Sequence, residues 1–481
     1  MTEYRRTSFR EPPSARLAEF MRQGWAAVPG TLGPPPSPPP ELTAARRAAL
    51  SDRLPGDRLV IPAGQPPLRA GDQHYPFRPD SNYAWLTGDQ SPGAALVMEP
   101  ADGGHEATLY LVPPSGRDND EFWLNGATGE LWIGPRPPLA ELSGLLGLGC
   151  RPRAGLERAL ERQLPAGSRT LLLRGADPGI GQAVPPADPD AETMLGAVLA
   201  ELRLVKDEWE IGQLREAVTL TANGFAAVAR VLREAGPRSS GRSARTEADV
   251  AAAFAHAAHA GGGGLGYQPI AAAGWHGAIL HWTRNDAPLH PGELIVLDAG
   301  AETRTLYTAD VTRTYPVSGT FTAAQRDVYD IVLAAQQDAL AAIRPGQPFR
   351  GYHRAVAAAL AGGLEKLGVL PVPAAESLRE DSGLHRRWTL CAPGHMLGLD
   401  VHDCGDAPAS SYIDGVFAAG QVLTVEPGLY FQRDDSLVPA PLRGLGVRIE
   451  DDVLVTADGC EVLSAGLPRE PAAVEEWLAG A

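Results

Sequence analysis

Cysteine is scarce, at four residues in 481 (Cys150, Cys391, Cys404 and Cys460), and none sits in a Cys-x-x-Cys pair. That spacing supports neither a disulfide framework nor a thiolate zinc site, and it fits a reducing compartment. No apolar run approaches membrane-spanning length, and Arg5-Arg6 leads into polar residues and proline instead of the apolar segment of a signal peptide. Basic residues are in deficit, 42 Lys and Arg against 58 Asp and Glu, for a formal charge of −16. That balance argues against a nucleic-acid or anionic-membrane partner. No short tandem repeat is visible, so solenoids and propellers are not expected. These absences together point to a cytoplasmic protein.

What is present is ordinary globular material. Hydrophobic residues make up 44% and charged residues 21%, the balance of a chain with substantial cores, and the length suggests two or three domains. Residues 1–40 read as a tail ending in Pro34-Pro35-Pro36-Ser37-Pro38-Pro39-Pro40, a polyproline II spacer that joins neither a helix nor a central strand. From Glu41 the pattern is mixed α/β, with helical spacing over 42–54 and 156–164 and strands over 59–61, 94–98, 109–112 and 170–173. This half holds no catalytic constellation. Pro185-Pro186-Ala187-Asp188-Pro189 breaks the pattern, so a first domain is expected over 41–198 and a second over 199–481. Helix starts in the second are marked by Asp207 with Glu210, Thr246 with Asp249 and Thr322 with Gln325. A glycine run, 261–264, reads as a flexible connection.

Within that second domain, 294–316 brings two acidic residues into an apolar β-pattern. Leu294, Val296 and Asp298 share one strand face by alternation, and Asp310, Thr312 and Thr314 share one face of a return strand. A hairpin could point both carboxylates into one pocket, where unpaired burial is costly and one or more cations would remove the cost. Taken alone, the pair reads first as two solvated aspartates at strand ends, a preference that the later segments reverse. Three later segments each end a β-pattern with a residue of metal-ligand type: Gly394-His395-Met396-Leu397-Gly398-Leu399-Asp400-Val401-His402-Asp403, Val422-Leu423-Thr424-Val425-Glu426-Pro427-Gly428, and Gly446-Val447-Arg448-Ile449-Glu450-Asp451-Asp452.

With Ile279-Leu280-His281-Trp282-Thr283, and with Tyr75-Pro76-Phe77-Arg78 and Leu86-Thr87-Gly88 in the first half, these segments resemble the proline-specific metallopeptidases of the pita-bread fold. The similarity is greatest to aminopeptidase P, with prolidase as a near relative, and runs from about residue 42 to the end. It implies a mixed α/β N-terminal domain followed by a C-terminal pita-bread catalytic domain. It also implies a dinuclear site whose ligands fall on Asp298, Asp310, His395, Glu426 and Glu450. His281 and His402 match accessory histidines beside the substrate, Arg448 an arginine close to the site, and Tyr267, Cys391 and Tyr430 join the histidines as substrate-binding positions.

The implied activity is removal of an N-terminal residue when proline follows it, by a hydroxide bridging two divalent metals, with Glu426 handling the proton. Four carboxylates balance two divalent cations, and an oxygen-rich set with one imidazole suits Mn²⁺, with Co²⁺ or Zn²⁺ as alternatives. An Xaa-Pro dipeptidase and a non-catalytic peptide-binding scaffold are the competing readings. The resemblance further implies a homodimer or homotetramer, with Asp72 and Trp123 bordering a neighbour's active site. The sequence departs from the family in two places. Asp298 and Asp310 stand twelve positions apart, one more than expected, which calls for an extra residue such as a bulge. Cys391 replaces a histidine four residues before His395.

Overall fold

The computed structural model describes residues 13–26, 36–71, 73–184, 189–235, 245–390 and 392–480. Asp72, Cys391 and residues 185–188, all singled out above, lie outside them. The chain divides into two compact units between Leu202 and Arg203.

The first unit is built on a five-stranded mixed sheet. In spatial order its strands are Gly149–Pro152, Gly104–Leu111, Ala95–Ala101, Arg58–Pro62 and Thr170–Leu172. The outer pairings are parallel and the inner ones antiparallel. Val60, Val97, Tyr110 and Leu172 alternate onto one face and pack with Leu156 and Ile180, as period two requires.

The proline-rich segment ends differently from expectation. Pro40 opens the helix Pro40–Arg53, because the first helical position needs no N–H and tolerates the fixed φ of proline. That helix buries Arg46 and Arg47, whose guanidinium groups donate to the carbonyls of Trp85 (3.1 Å) and Leu86 (2.7 Å). These are carbonyls in the last turn of the helix Ser81–Thr87, which has no partners for them within itself. A further helix, Ala15–Met21, is N-capped by Ser14 inside the expected tail. Pro189, the last residue of the expected break, begins the helix Pro189–Arg203. Trp123 is buried at 3% exposure within this unit, and its carbonyl accepts the Trp132 indole N–H.

The second unit wraps helices around short antiparallel sheets. Glu208–Ala235 starts with reciprocal bonds between Asp207 and Glu210, and full capping boxes open Glu247–Ala260 and Ala323–Ala342 at Thr246 and Thr322. The central sheet orders Val311–Pro316, Leu294–Ala299 and Ile270–Ala273. Along Leu294–Ala299, Ile295 and Leu297 pack into a helix-backed core with Phe225, Phe254 and Tyr315. Val296 and Asp298 therefore turn to the opposite face, where Val296 meets Ile270 and Ala272. Among the described residues no helix is long and apolar enough to cross a membrane.

The extra residue between Asp298 and Asp310 does not make a bulge. The strands pair in unbroken register, with Asp298 opposite Thr312. The surplus is taken up in the connecting turn, where Leu306 adopts φ 73°, a conformation rare for leucine, and its N–H donates to Thr303 O at 3.0 Å. Gly300 makes this closure feasible, since a Cβ there would lie 1.6 Å from Ala309 O.

Candidate metal centre

Five elements deliver the acidic site. Asp298 comes from the strand Leu294–Ala299, and Asp310 sits immediately before Val311–Pro316. Glu450 lies between Gly446–Arg448 and Asp451–Val455, where the chain leaves one sheet for another. Its N–H donates to Thr312 O at 3.0 Å, which pins it beside the acidic hairpin. Glu426 follows Val422–Val425. The segment carrying His395 is not a strand, contrary to its alternating pattern. It makes one bridge, Met396 to Leu423, because Gly394 bends it against the neighbouring backbone: φ is +154°, and a Cβ would lie 2.1 Å from Thr424 O.

Ligand-type atoms of Asp310, His395 and Glu450 lie within 4.8 Å of one another. Asp298 joins through Tyr267, whose hydroxyl lies 2.6 Å from Asp298 Oδ1 and 2.5 Å from Asp310 Oδ1. Glu426 joins through His395, Nε2 to Oε1 at 3.4 Å, and the same Nε2 is 3.5 Å from Asp310 Oδ2. His395 Nδ1 faces Met396 O at 3.1 Å, so the Nδ1–H tautomer leaves Nε2 free to act as a ligand.

The charges are unbalanced without cations. Burial pushes the Glu450 carboxyl well above the usual range, and Asp310, Glu426 and Asp298 push it further while Arg448 opposes them. Burial raises Glu426 to about 7 against the pull of His395. Asp298 is also raised, chiefly by burial, although Arg448 ion-pairs with its Oδ2. Burial works against a charged His395, but Asp310 and Glu426 outweigh it and hold the imidazole at about 9. Tyr267, raised by burial and then by Asp298 and Asp310, has one proton for two carboxylate acceptors. Protonating the acids resolves this crowding, and so do divalent cations, for which four carboxylates and one imidazole are a fitting donor set.

Behind the donors, hydroxyls and one arginine fix their positions. Thr312 Oγ1 donates to Glu450 Oε2 at 2.6 Å and accepts from Arg448 Nε at 3.1 Å. Thr314 Oγ1 exchanges bonds with the Arg448 backbone. Thr424 Oγ1 accepts His395 N–H at 3.0 Å and approaches Glu426 Oε1 at 3.3 Å. Arg448 Nη1 donates to the Tyr430 hydroxyl at 3.0 Å. His402 stands edge-on to His395 with ring centroids 4.4 Å apart. Its pKa is lowered by partial burial and by the charges of His395 and His281. His281 and His402 are both exposed, whereas Asp298, Asp310 and Glu450 are buried.

The structure thus brings together the five expected ligands, Arg448, Tyr430, His402 and Tyr267, the last lodged between two carboxylates. A second ionic layer escaped the sequence reading. Arg313 and Asp451, both fully buried, pair at 2.7 Å, and Asp451 also takes Arg469 (3.2 Å), Gln336 (2.9 Å) and Ser464 (2.5 Å).

Comparison with known proteins decides the family. The sequence profile described as metallopeptidase family M24 matches residues 212–457, and that of the aminopeptidase P N-terminal domain matches 43–166. The chain belongs to metallopeptidase family M24. It is a hydrolase of that family, with a mixed α/β N-terminal domain preceding the pita-bread domain. It is 48% identical over 483 residues to Xaa-Pro aminopeptidase 2 of Streptomyces coelicolor, covering 100% of this chain and 99% of the relative. Its fold is similar to that of proline aminopeptidase P II from Yersinia pestis, with a TM-score of 0.80 and 30% identity over 92% of this chain and 100% of that one. It is equally similar to zinc-substituted aminopeptidase P of E. coli in complex with product, with a TM-score of 0.80 and 29% identity over 92% and 99%. Membership of this M24 family implies divalent metal ions, and Asp310, His395 and Glu450 form a group that could hold one.

Proposed function

We propose that this protein is a metal-dependent Xaa-Pro aminopeptidase, acting on peptides whose second residue is proline. The observation that carries the reading is the convergence of four carboxylates and His395 Nε2 on one largely buried site whose charges do not balance without cations. The Streptomyces relative, matched over its whole length, bears that name. Asp298, Asp310, His395, Glu426 and Glu450 are assigned to hold two divalent ions, with Mn²⁺ preferred for its match to an oxygen-rich set. Bound there, such ions would supply Lewis-acid polarisation of the scissile carbonyl and acidification of water.

The chain's own groups do the rest. Tyr267 and Arg448 orient Asp298, and Thr312 orients Glu450. Glu426, with its carboxyl raised to about 7, takes up and returns a proton at its Oε1. His281 and His402, both exposed, seat the peptide and donate to the oxygen that gains charge. The test is to strip the protein of metal, reconstitute it with Mn²⁺, and assay Xaa-Pro dipeptides beside longer peptides. Release of the first residue from both classes supports the reading. Turnover confined to dipeptides moves the assignment to a dipeptidase, and no turnover with metal bound moves it to a binding scaffold.

A further inference from the structure

Glu247 lies at the first turn of the helix Glu247–Ala260 and is fully buried, yet the chemistry above does not use it. Its two carboxylate oxygens take four donors. Oε1 accepts Ala273 N–H at 2.7 Å and faces His276 Nδ1 at 2.8 Å. Oε2 accepts the Trp282 indole N–H and Ala287 N–H, each at 2.9 Å. The Glu247 N–H in turn donates to Ala287 O at 2.9 Å. These four donors are the residue before a segment spanning 274–287, the residue that ends it, and two side chains within it. His281 lies inside the same segment, next to Trp282.

The rest of the segment is fastened to agree with this. His276 and Trp282 stack with centroids 3.7 Å apart and planes 24° apart, so the two side-chain donors present one face. Asn285, at φ 50°, fixes the return path by accepting Ala271 N–H (3.0 Å) and donating to Pro269 O (2.9 Å). Arg245 and Leu289 tie the flanks at 2.8 Å. An ionised carboxylate only accepts, and it offers about four lone-pair sites, which is what four converging N–H groups require. A glutamine there would turn its amide NH2, itself a donor, toward two of those donors.

We infer that Glu247 is a positioning residue for His281: it closes the 274–287 segment on itself and so fixes where the exposed imidazole stands. The inference rests on the peptidase reading for the role of His281. Small displacements of a positioned group cost rate steeply, about a hundredfold for 1 Å.

The experiment is a double-mutant cycle of Glu247→Gln and His281→Ala in the metal-reconstituted full chain, with kcat/KM on a tripeptide carrying proline second. Metal content and amide hydrogen exchange are read on the same samples. The expected result is a loss of about 10- to 100-fold for Glu247→Gln alone, and less than about twofold further loss when it is added to His281→Ala. Exchange should quicken within 274–287 and metal content should hold. Equal losses in both backgrounds, or no loss, would overturn the inference, because Glu247 would then be a general scaffold residue. If Glu247→Gln does not fold, Trp282→Phe removes one donor while keeping the stacked ring, and the same cycle decides. Should the wild-type protein fail to cleave Xaa-Pro peptides, the peptidase reading falls. The exchange arm then still judges the clamp, and unchanged exchange within 274–287 refutes it.

Discussion

Metal binding to the stripped protein should release protons, and the number released should depend on pH in a way the site dictates. Ligation requires a neutral imidazole and ionised carboxylates. In the metal-free site His395 is held at about 9 and Glu426 at about 7. At pH 6 both groups hold a proton, and by pH 8 Glu426 has lost its own while His395 keeps its, so the count released should fall by about one over that range. Glu450, raised well above the carboxylate range, adds to the total. The pH step comes from Glu426, so Glu426→Gln should flatten it. Titration calorimetry of Mn²⁺ into apoprotein, in two buffers of different ionisation enthalpy at each pH, measures the number directly. No proton release, or a release that does not change between pH 6 and 8, would refute the reasoning.

The same shifts fix the direction of stability. Glu426 and Glu450 titrate above their unfolded values, so each stabilises the metal-free fold at low pH, an advantage lost as pH rises from about 4.5 through the folded value. His395, raised, contributes fully below about 6.5 and loses its contribution as pH passes about 9. The rise in Tm on adding Mn²⁺ should therefore be larger at pH 7 than at pH 5, and a smaller rise at pH 7 would contradict the assignment. Asp298→Asn and Glu450→Gln should each bring turnover near background while far-UV circular dichroism stays native, since each removes a ligand charge. Arg313→Met should cost about 3–5 kcal/mol in denaturant unfolding by leaving Asp451 buried without its closest cation. Cys391→His should raise kcat/KM on Xaa-Pro peptides by about one to two powers of ten with metal content unchanged, because an imidazole donates a stronger hydrogen bond than a thiol; no gain would show a pocket adapted to the cysteine.

Much of this centre was legible because its residues obey local rules. Alternation placed Val296 and Asp298 on one face, and the register of Leu294–Ala299 with Val311–Pro316 confirms that face. The reciprocal pairs at Asp207, Thr246 and Thr322 named their helix starts because capping is a contact within four residues. What escaped was long-range. The His395 segment alternates like a strand, but Gly394 and its single bridge to Leu423 make it a bent connection. Arg313 reads as one polar residue on a strand. Its partner Asp451 is 138 positions away, and no spacing rule reaches that far. Glu247 looks like ordinary first-turn acidity on a helix, because its four donors come from a separate segment. Thr312 and Thr314 were placed on the ligand face by period two, but only the structure shows them holding Glu450 and Arg448.

The central claim is that the acidic cluster is a metal centre that cleaves Xaa-Pro bonds. Its most direct test is one progress curve on a tripeptide with proline in second position, using protein stripped by chelation and then supplied with Mn²⁺ during the run. The account predicts a flat baseline, then release of the first residue beginning on metal addition and absent in Asp298→Asn. Cleavage of that peptide by the metal-free protein at an undiminished rate would contradict it.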